Sequence, residues 1–416
     1  AILAQAAHLQ PRSPPRPRML APERLGAPTA RLPCGGMSLG GRAARSPWLS
    51  MLAVGVVAST ALLTEVVDAT AGEPPQPTAG CGATGALAAG NHTIVVQDPM
   101  LGDVERRYLL RLPAASSSAM PLLLGFHGQG GNPWGWEDGQ IELSRGFVQR
   151  GGAVVVPAGM REAYSVPSAR QGHVDHEQTD SGWNCGTAGD DSTCLPSTRG
   201  AECMRSCAKL GRCGRCNWST CYDDVAFVKQ LLATLAQNLC LDSSRYYVVG
   251  ESNGAMLTHH LASMLPGVFR AVAPVFGQPL LGYSVGQRFQ LVADQRDVRR
   301  TSLLQLHDRS DTVIPWEGGS SEDGWLYESL GQATGVWAAL HKCDLEARPI
   351  TTQFDGGPKH MACREYHACE SGRVMYCFYD GKHGNWPDEP RASNLILSFF
   401  DSVSLVARTA PRLLHK

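Results

Sequence analysis

The sequence predicts an α/β fold built on a mostly parallel, doubly wound sheet. Three observations carry that expectation. Apolar runs such as residues 121–126 and 154–157 read as strands buried on both faces. They alternate with helical stretches such as Asp224–Asn238, whose apolar residues recur at intervals of three and four. The residues that carry chemistry fall just after strands, at the carboxyl edge where open parallel sheets bind ligands.

Residues 93–97 and 106–112 read as antiparallel edge strands joined by a turn at 99–103. Residues 121–126 and 154–157 are buried strands, with 136–150 between them mostly helical. Residues 172–221 are polar, cysteine-dense and without a period, so a long loop is expected there, shaped by cross-links. The helix at Asp224–Asn238 then delivers the chain to a strand at 246–249. Residues 270–275 and 302–307 read as further strands and 331–341 as a helix. Val374–Tyr379 is the last strand, and 394–403 the closing helix.

Hydrophobic residues at 43% and charged residues at 18% describe a globular chain rather than a disordered one. Residues 1–47 hold seven arginines against one acid, Glu23, so the net charge of −1 hides a mildly acidic remainder. That balance gives no reason to expect a nucleic-acid partner. Residues 1–36 are rich in Arg, Pro and Ala and are read as a leader or non-native extension. Residues 37–71 read as a signal peptide: Arg42 and Arg45 precede an apolar run at 48–63, and Ala69-Thr70-Ala71 offers a cleavage site. The run is shorter than the roughly 20 residues that span a bilayer, so no stable membrane anchor is expected. Residues 72–80 read as a linker, 81–405 as one catalytic domain with a cysteine-rich insert at about 185–221, and 406–416 as a tail.

Export fits the cysteines. Thirteen of fourteen follow the cleavage site, and eight lie between Cys185 and Cys240. Zinc is the alternative in a reducing compartment, but behind a signal peptide disulfides are favoured. Candidates are Cys185, Cys194, Cys203, Cys207, Cys213, Cys216, Cys221, Cys240, Cys343, Cys363, Cys369 and Cys377, with the pairing left open. Asn91 and Asn217 head sequons and are candidates for glycosylation. No zinc-protease histidine spacing is present, and neither a metal nor a cofactor is expected.

The chemistry centres on Gly250-Glu251-Ser252-Asn253-Gly254, a G-x-S-x-G between a strand and a helix. Glycines two residues either side of a serine let the chain turn sharply and present the hydroxyl as a nucleophile. A serine needs a base to take its proton, and His383, after the last strand, suits that role. A carboxylate must hold the imidazole, with Asp311 favoured and Asp308 its rival three residues earlier. Backbone N–H groups of Asn253 and of the Gly128-Gln129 turn are expected to form an oxyanion hole. The aromatic residues Trp183 and Trp386, with His127, are expected to line the substrate site.

This combination resembles the esterase family that includes polyhydroxybutyrate depolymerases and feruloyl esterases (carbohydrate esterase family 1), of the α/β-hydrolase superfamily. The similarity rests on LLLGFHGQGG, WNCG at Trp183–Gly186, YDDVAFV at Tyr222–Val228 and GESNGAM. It also rests on His307, Asp311, Ile314 and Pro315, and on Gly381, His383, Trp386 and Pro387 in GKHGNWP. The resemblance implies an α/β-hydrolase fold with the triad on Ser252, Asp311 and His383, against Asp308. It implies a secreted serine ester hydrolase working through an acyl-enzyme, of the feruloyl esterase type acting on cell-wall polysaccharide. Alternatives are a polyhydroxyalkanoate depolymerase, an acetylxylan esterase or a non-catalytic binding protein of the same fold. Two departures are Asp308, where the family has glycine, and the longer insert between Trp183 and Tyr222.

Overall fold

A computed structural model describes residues 74–82, 87–115, 118–165, 177–186, 192–201, 203–283, 301–351, 361–387 and 391–405. The expected leader, signal peptide and tail lie outside the described residues. In chain order the first elements are β1 (Gly90–Asp98), β2 (Gly102–Arg111), β3 (Met120–Phe126), α1 (Pro133–Gly139), α2 (Ile141–Gln149) and β4 (Ala153–Pro157). Next are β5 (Met160–Ser165) and β6 (Glu177–Gly182), then β7 (Cys203–Met204) and α3 (Arg205–Lys209) within the cysteine-rich insert. Then come α4 (Asp224–Asn238), β8 (Leu241–Glu251), α5 (Asn253–Met264), β9 (Ala271–Val275) and β10 (Ser302–Asp308). The last are β11 (Gly319–Ser320), β12 (Leu326–Tyr327), α6 (Leu330–Leu340), β13 (Arg348–Ile350), β14 (Ala362–Tyr366), β15 (Val374–Tyr379) and α7 (Arg391–Leu405).

Ten strands form one sheet in the order β1-β2-β4-β3-β8-β9-β10-β15-β14-β13. From β4 to β15 every neighbour is parallel, and antiparallel pairs close both ends. Every residue of β4, β9 and β10 is buried, and β4 and β9 accordingly read as unbroken apolar runs, while β10 also buries Gln305, His307 and Asp308. Alternate residues feed opposite layers. Leu122, Leu124, Val248 and Leu303 pack with α4, α5 and α6, while Leu123, Tyr247, Val249 and Leu304 pack with α1, α2 and α7. Helices on both faces make this a doubly wound α/β-hydrolase sheet. Among the described residues no helix is long and apolar enough to cross a membrane.

The stretch expected to be mostly helical over 136–150 is so, as α1 and α2, which meet where the Gln140 N–H bonds back to Trp136 O. Two expectations need correction. The stretch 172–221 carries structure: its β6 and β7 pair with β5, which precedes it, in a small antiparallel sheet, and Glu162 of β5 accepts from the Ser206 N–H (2.7 Å) at the start of α3. The linker residues are paired, with Thr78 N bonding to Leu241 O (2.9 Å) and Ser243 N to Gln76 O (2.9 Å). The hairpin β13–β14 went unread because its strands are short and carry charged residues.

Among the described residues six disulfides join Cys81–Cys240, Cys194–Cys216, Cys203–Cys213, Cys207–Cys221, Cys343–Cys369 and Cys363–Cys377. Two corrections follow for the cysteines. Cys185 stands outside these six pairs, buried in a small cluster with Met256, Ile314, Trp325 and Tyr327. Cys81, which was not a candidate, pairs with Cys240 because the paired N-terminal stretch lies along the α4–β8 junction.

Candidate active site

β8 ends at Glu251 and α5 begins at Asn253, so Ser252 alone makes the turn. It does so at φ 52°, a conformation that costs a non-glycine residue about 1–3 kcal/mol. The flanking glycines are required by contact. A Cβ on Gly250 would strike Gly254 O, and one on Gly254 would strike the carbonyls of Phe126 and His127. Gly277 is constrained likewise, because a Cβ there would meet Ser252 O. The elbow is pinned to the neighbouring strand by Ser252 N bonding to Val275 O (3.1 Å).

Three side chains far apart in the sequence meet at this turn. Ser252 Oγ lies 2.9 Å from His383 Nε2, and His383 Nδ1 lies 2.8 Å from Asp311 Oδ2. With the proton on Nδ1 facing the carboxylate, Nε2 is the lone pair that accepts from the hydroxyl. Asp311 is buried, and its other oxygen accepts from Val313 N (2.9 Å) and Ile314 N (2.8 Å), which fixes the carboxylate plane. The carboxylate facing the imidazole is therefore Asp311. Asp308 accepts instead from Ser310 N (2.7 Å), and its second oxygen lies against Gly381. Phe276 packs edge-on to the His383 ring with centroids 5.5 Å apart. Below them His307 donates from Nε2 to Ile314 O (2.9 Å), and burial pushes its pKa down.

The glycine turn after β3 is held from three sides. Gly130 N bonds to Ser181 O (2.7 Å), Gln129 Nε2 donates to Asp180 Oδ2 (2.8 Å), and Ser181 Oγ donates to Gly131 O (2.7 Å). Trp183 Nε1 donates to His127 O (2.9 Å), and the Asn253 amide clamps the Trp183 backbone, accepting from its N (2.7 Å) and donating to its O (3.1 Å). These bonds bring the turn over the serine, and a Cβ on Gly128 would lie 3.2 Å from Ser252 Cβ. Asn253 is the first residue of α5, and behind it Ala255 N and Met256 N both bond to Ser252 O (3.0 Å each). The Gly128 N–H points to Glu251 Oε1 at 3.4 Å.

No family model matches the chain. It is 26% identical to a probable feruloyl esterase C of Aspergillus clavatus over 165 residues, 40% of this chain and 51% of that protein. It is 24% identical to feruloyl esterase C of Emericella nidulans over 145 residues, 32% of this chain and 50% of that protein. The chain thus spans about half the length of these curated relatives. An acetyl xylan esterase from Aspergillus awamori superposes at TM-score 0.42 and 14% identity, over 75% of this chain and 99% of that one. The chain has the α/β-hydrolase type of sheet and is similar in sequence to feruloyl esterases.

The α/β-hydrolase site differs from expectation in its supporting residues. Trp183 has no exposed surface and His127 only 1%, so neither lines an open substrate site. Trp183 carries the glycine turn. His127 buttresses it, donating from Nδ1 to Gly128 O (2.7 Å) and accepting from Gly159 N (3.0 Å) at Nε2. Trp386 is only partly exposed, and its indole donates to Glu251 Oε2 (2.6 Å). Asn91 is exposed on β1, whereas Asn217 is 2% exposed and donates to Arg212 O (2.7 Å), so the fold does not present Asn217 to a glycosylating enzyme. Sequence reasoning missed Glu251, Asp180 and the Asn253 side chain as supports. Their partners lie 51 to 135 residues away, and no local pattern marks them. Among the described residues no group of three or more His, Cys, Asp and Glu could hold a metal ion.

Burial also sets an acid limit on the fold. It pushes the pKa of His127 and of His259 down from 6.5 to about 4. Each stays neutral in the fold while the unfolded chain takes a proton below 6.5, so the unfolded state binds more protons between the two values. Stability present above pH 6.5 is therefore lost as pH falls toward 4, by up to about 3 kcal/mol per histidine. Urea midpoints should fall across that window. In His259→Gln the fall should be shallower, and an unchanged slope would show that His259 does not contribute.

Proposed function

We propose that the protein is a secreted serine esterase that cleaves carboxylic esters through an acyl-enzyme, with feruloyl esters of cell-wall polysaccharide as its substrate class. The observation that carries this reading is the unbroken relay from Ser252 Oγ through His383 to Asp311 at a strained elbow. His383 takes the hydroxyl proton as Ser252 attacks the ester carbonyl, and Asp311 stabilises the cation that forms on the ring. The anionic oxygen is received by the Asn253 N–H and the N–H groups of the Gly128-Gln129 turn. His383 then returns the proton to the leaving alcohol, and water repeats the sequence to release the acid. The feruloyl class is supported by the curated relatives. Secretion is supported by the signal-like segment together with the disulfides.

A fluorophosphonate should label the protein once, on the peptide containing Ser252. Purified protein assayed side by side on methyl ferulate, acetylated xylan and a polyhydroxybutyrate film should turn over methyl ferulate fastest. Absence of labelling in correctly folded protein would overturn the esterase reading. A faster rate on xylan acetate or the polyester would retain the esterase and replace the acyl group.

A further inference from the structure

The residue before the nucleophile is a half-buried glutamate with a task of its own. Glu251 ends β8 and turns its carboxylate away from Ser252, into the space between the glycine turn and the loop that carries His383. Oε1 lies 3.4 Å from Gly128 N, and Oε2 accepts from the Trp386 indole at 2.6 Å. The Gln140 amide, between α1 and α2, adjoins the same indole and either donates to Oε2 (3.4 Å) or accepts from Trp386 Nε1 (2.5 Å) when its oxygen and nitrogen are exchanged. The carboxylate thereby touches the turn bearing the expected oxyanion donors and the loop bearing the general base, while its own backbone adjoins the nucleophile.

We propose that Glu251 is a positioning residue that ties the Gly128 turn and the His383 loop to the serine elbow, setting the spacing of donor, base and hydroxyl. The inference rests on the esterase reading for its kinetic consequence, and on the geometry alone for the tie. The two bonds differ in kind. The indole bond is short and charge-assisted, and anchors the His383 loop three residues beyond the imidazole. The Gly128 bond is long, so the carboxylate orients that N–H without competing strongly for it once an oxyanion forms. The titratable groups facing Glu251 are His383 and Tyr379, with Gly128, Gln140 and Trp386 as uncharged partners. Burial pushes the Glu251 carboxyl up, and hydrogen bonds from Trp386, Gly128 and Gln140 draw it back, as does the nearby His383.

The test uses Glu251→Ala and Glu251→Gln in the full chain, with 15N-tryptophan labelling and the Trp386 indole N–H assigned through Trp386→Phe. In the unmodified protein that resonance should titrate with an inflection above the ordinary glutamate value. In Glu251→Gln the inflection should vanish. On methyl ferulate, Glu251→Ala should lose about ten- to a hundredfold in kcat with little change in KM, because the loops lose their spacing rather than their surface. Glu251→Gln should recover only part of that loss, since its single amide oxygen can accept from the Trp386 indole while its NH2 group cannot accept from the Gly128 N–H. An indole resonance unmoved by Glu251→Gln, or a kcat in Glu251→Ala equal to the unmodified value, overturns the proposal. Should Glu251→Ala fail to fold, Glu251→Gln and the indole titration decide. If the unmodified protein neither turns over esters nor takes the fluorophosphonate, the esterase reading fails, and the indole titration by itself decides whether Glu251 makes the tie.

Discussion

Replacing Ser252 with alanine is expected to lower ester turnover by roughly five to six orders of magnitude while leaving the melting temperature nearly unchanged. The size of the loss follows from how the site is built. Ser252 Oγ is the atom within 2.9 Å of His383 Nε2, so its removal leaves the imidazole with nothing to deprotonate. What survives is the binding and oxyanion contribution that such sites retain over water. The small thermal effect follows because the hydroxyl adds one bond at a partly exposed position, worth about 1 kcal/mol. Alanine does not relieve the backbone, which stays at φ 52° in either residue. Glycine does. Ser252→Gly should be equally inactive yet melt higher, because the cost of about 1–3 kcal/mol for a left-handed residue disappears. Initial rates on a 4-nitrophenyl ester and calorimetry of both variants separate the two effects. Retained turnover in Ser252→Ala would remove the serine from the mechanism, and equal melting of the two variants would show that the elbow stores no strain.

The largest effect on stability is expected at Asp224, the first residue of α4. Its Oδ1 accepts from Arg106 at 2.7 Å, and both side chains are essentially without solvent exposure. Its Oδ2 accepts from Asn184 N (2.7 Å), and the Arg106 guanidinium lies 3.8 Å over the Phe227 ring. Burial pushes the Asp224 carboxyl up and Arg106 draws it back, so the pair stays charged only as a pair. Asp224→Ala leaves a buried guanidinium without its anion and should cost about 3–5 kcal/mol. Replacing both residues with apolar ones of similar volume should cost much less, since most of the penalty is the uncompensated charge. Urea unfolding of the two single variants and the double variant measures that coupling directly, and additive losses would contradict it. The single variant should also lose activity, because Asn184 follows Trp183, whose indole holds the His127 carbonyl of the glycine turn.

Most of the sheet was legible in the chain. Period-two and unbroken apolar runs marked β3, β4, β9, β10 and β15, and glycine spacing marked the elbow at Ser252. These signals are local: a strand buried on both faces must be apolar whatever lies beside it, and a sharp strand-to-helix turn needs room within five residues. The hairpin β13–β14 and the strands of the insert were not legible, because they are short, partly polar and held by pairing rather than by their own pattern.

The sequence by itself determined the kind of fold and which serine, histidine and pair of aspartates were available to act. Only the tertiary structure decided that Asp311 faces the imidazole, that Trp183 and His127 brace the glycine turn from inside, that Cys81 takes Cys240, and that Glu251 reaches both neighbouring loops. The reason is distance along the chain. Propensity and turn chemistry act over a few residues, whereas these contacts, apart from the bond between His127 and its neighbour Gly128, join positions tens to more than a hundred residues apart. They exist because the order of strands in the sheet brings their loops to one edge.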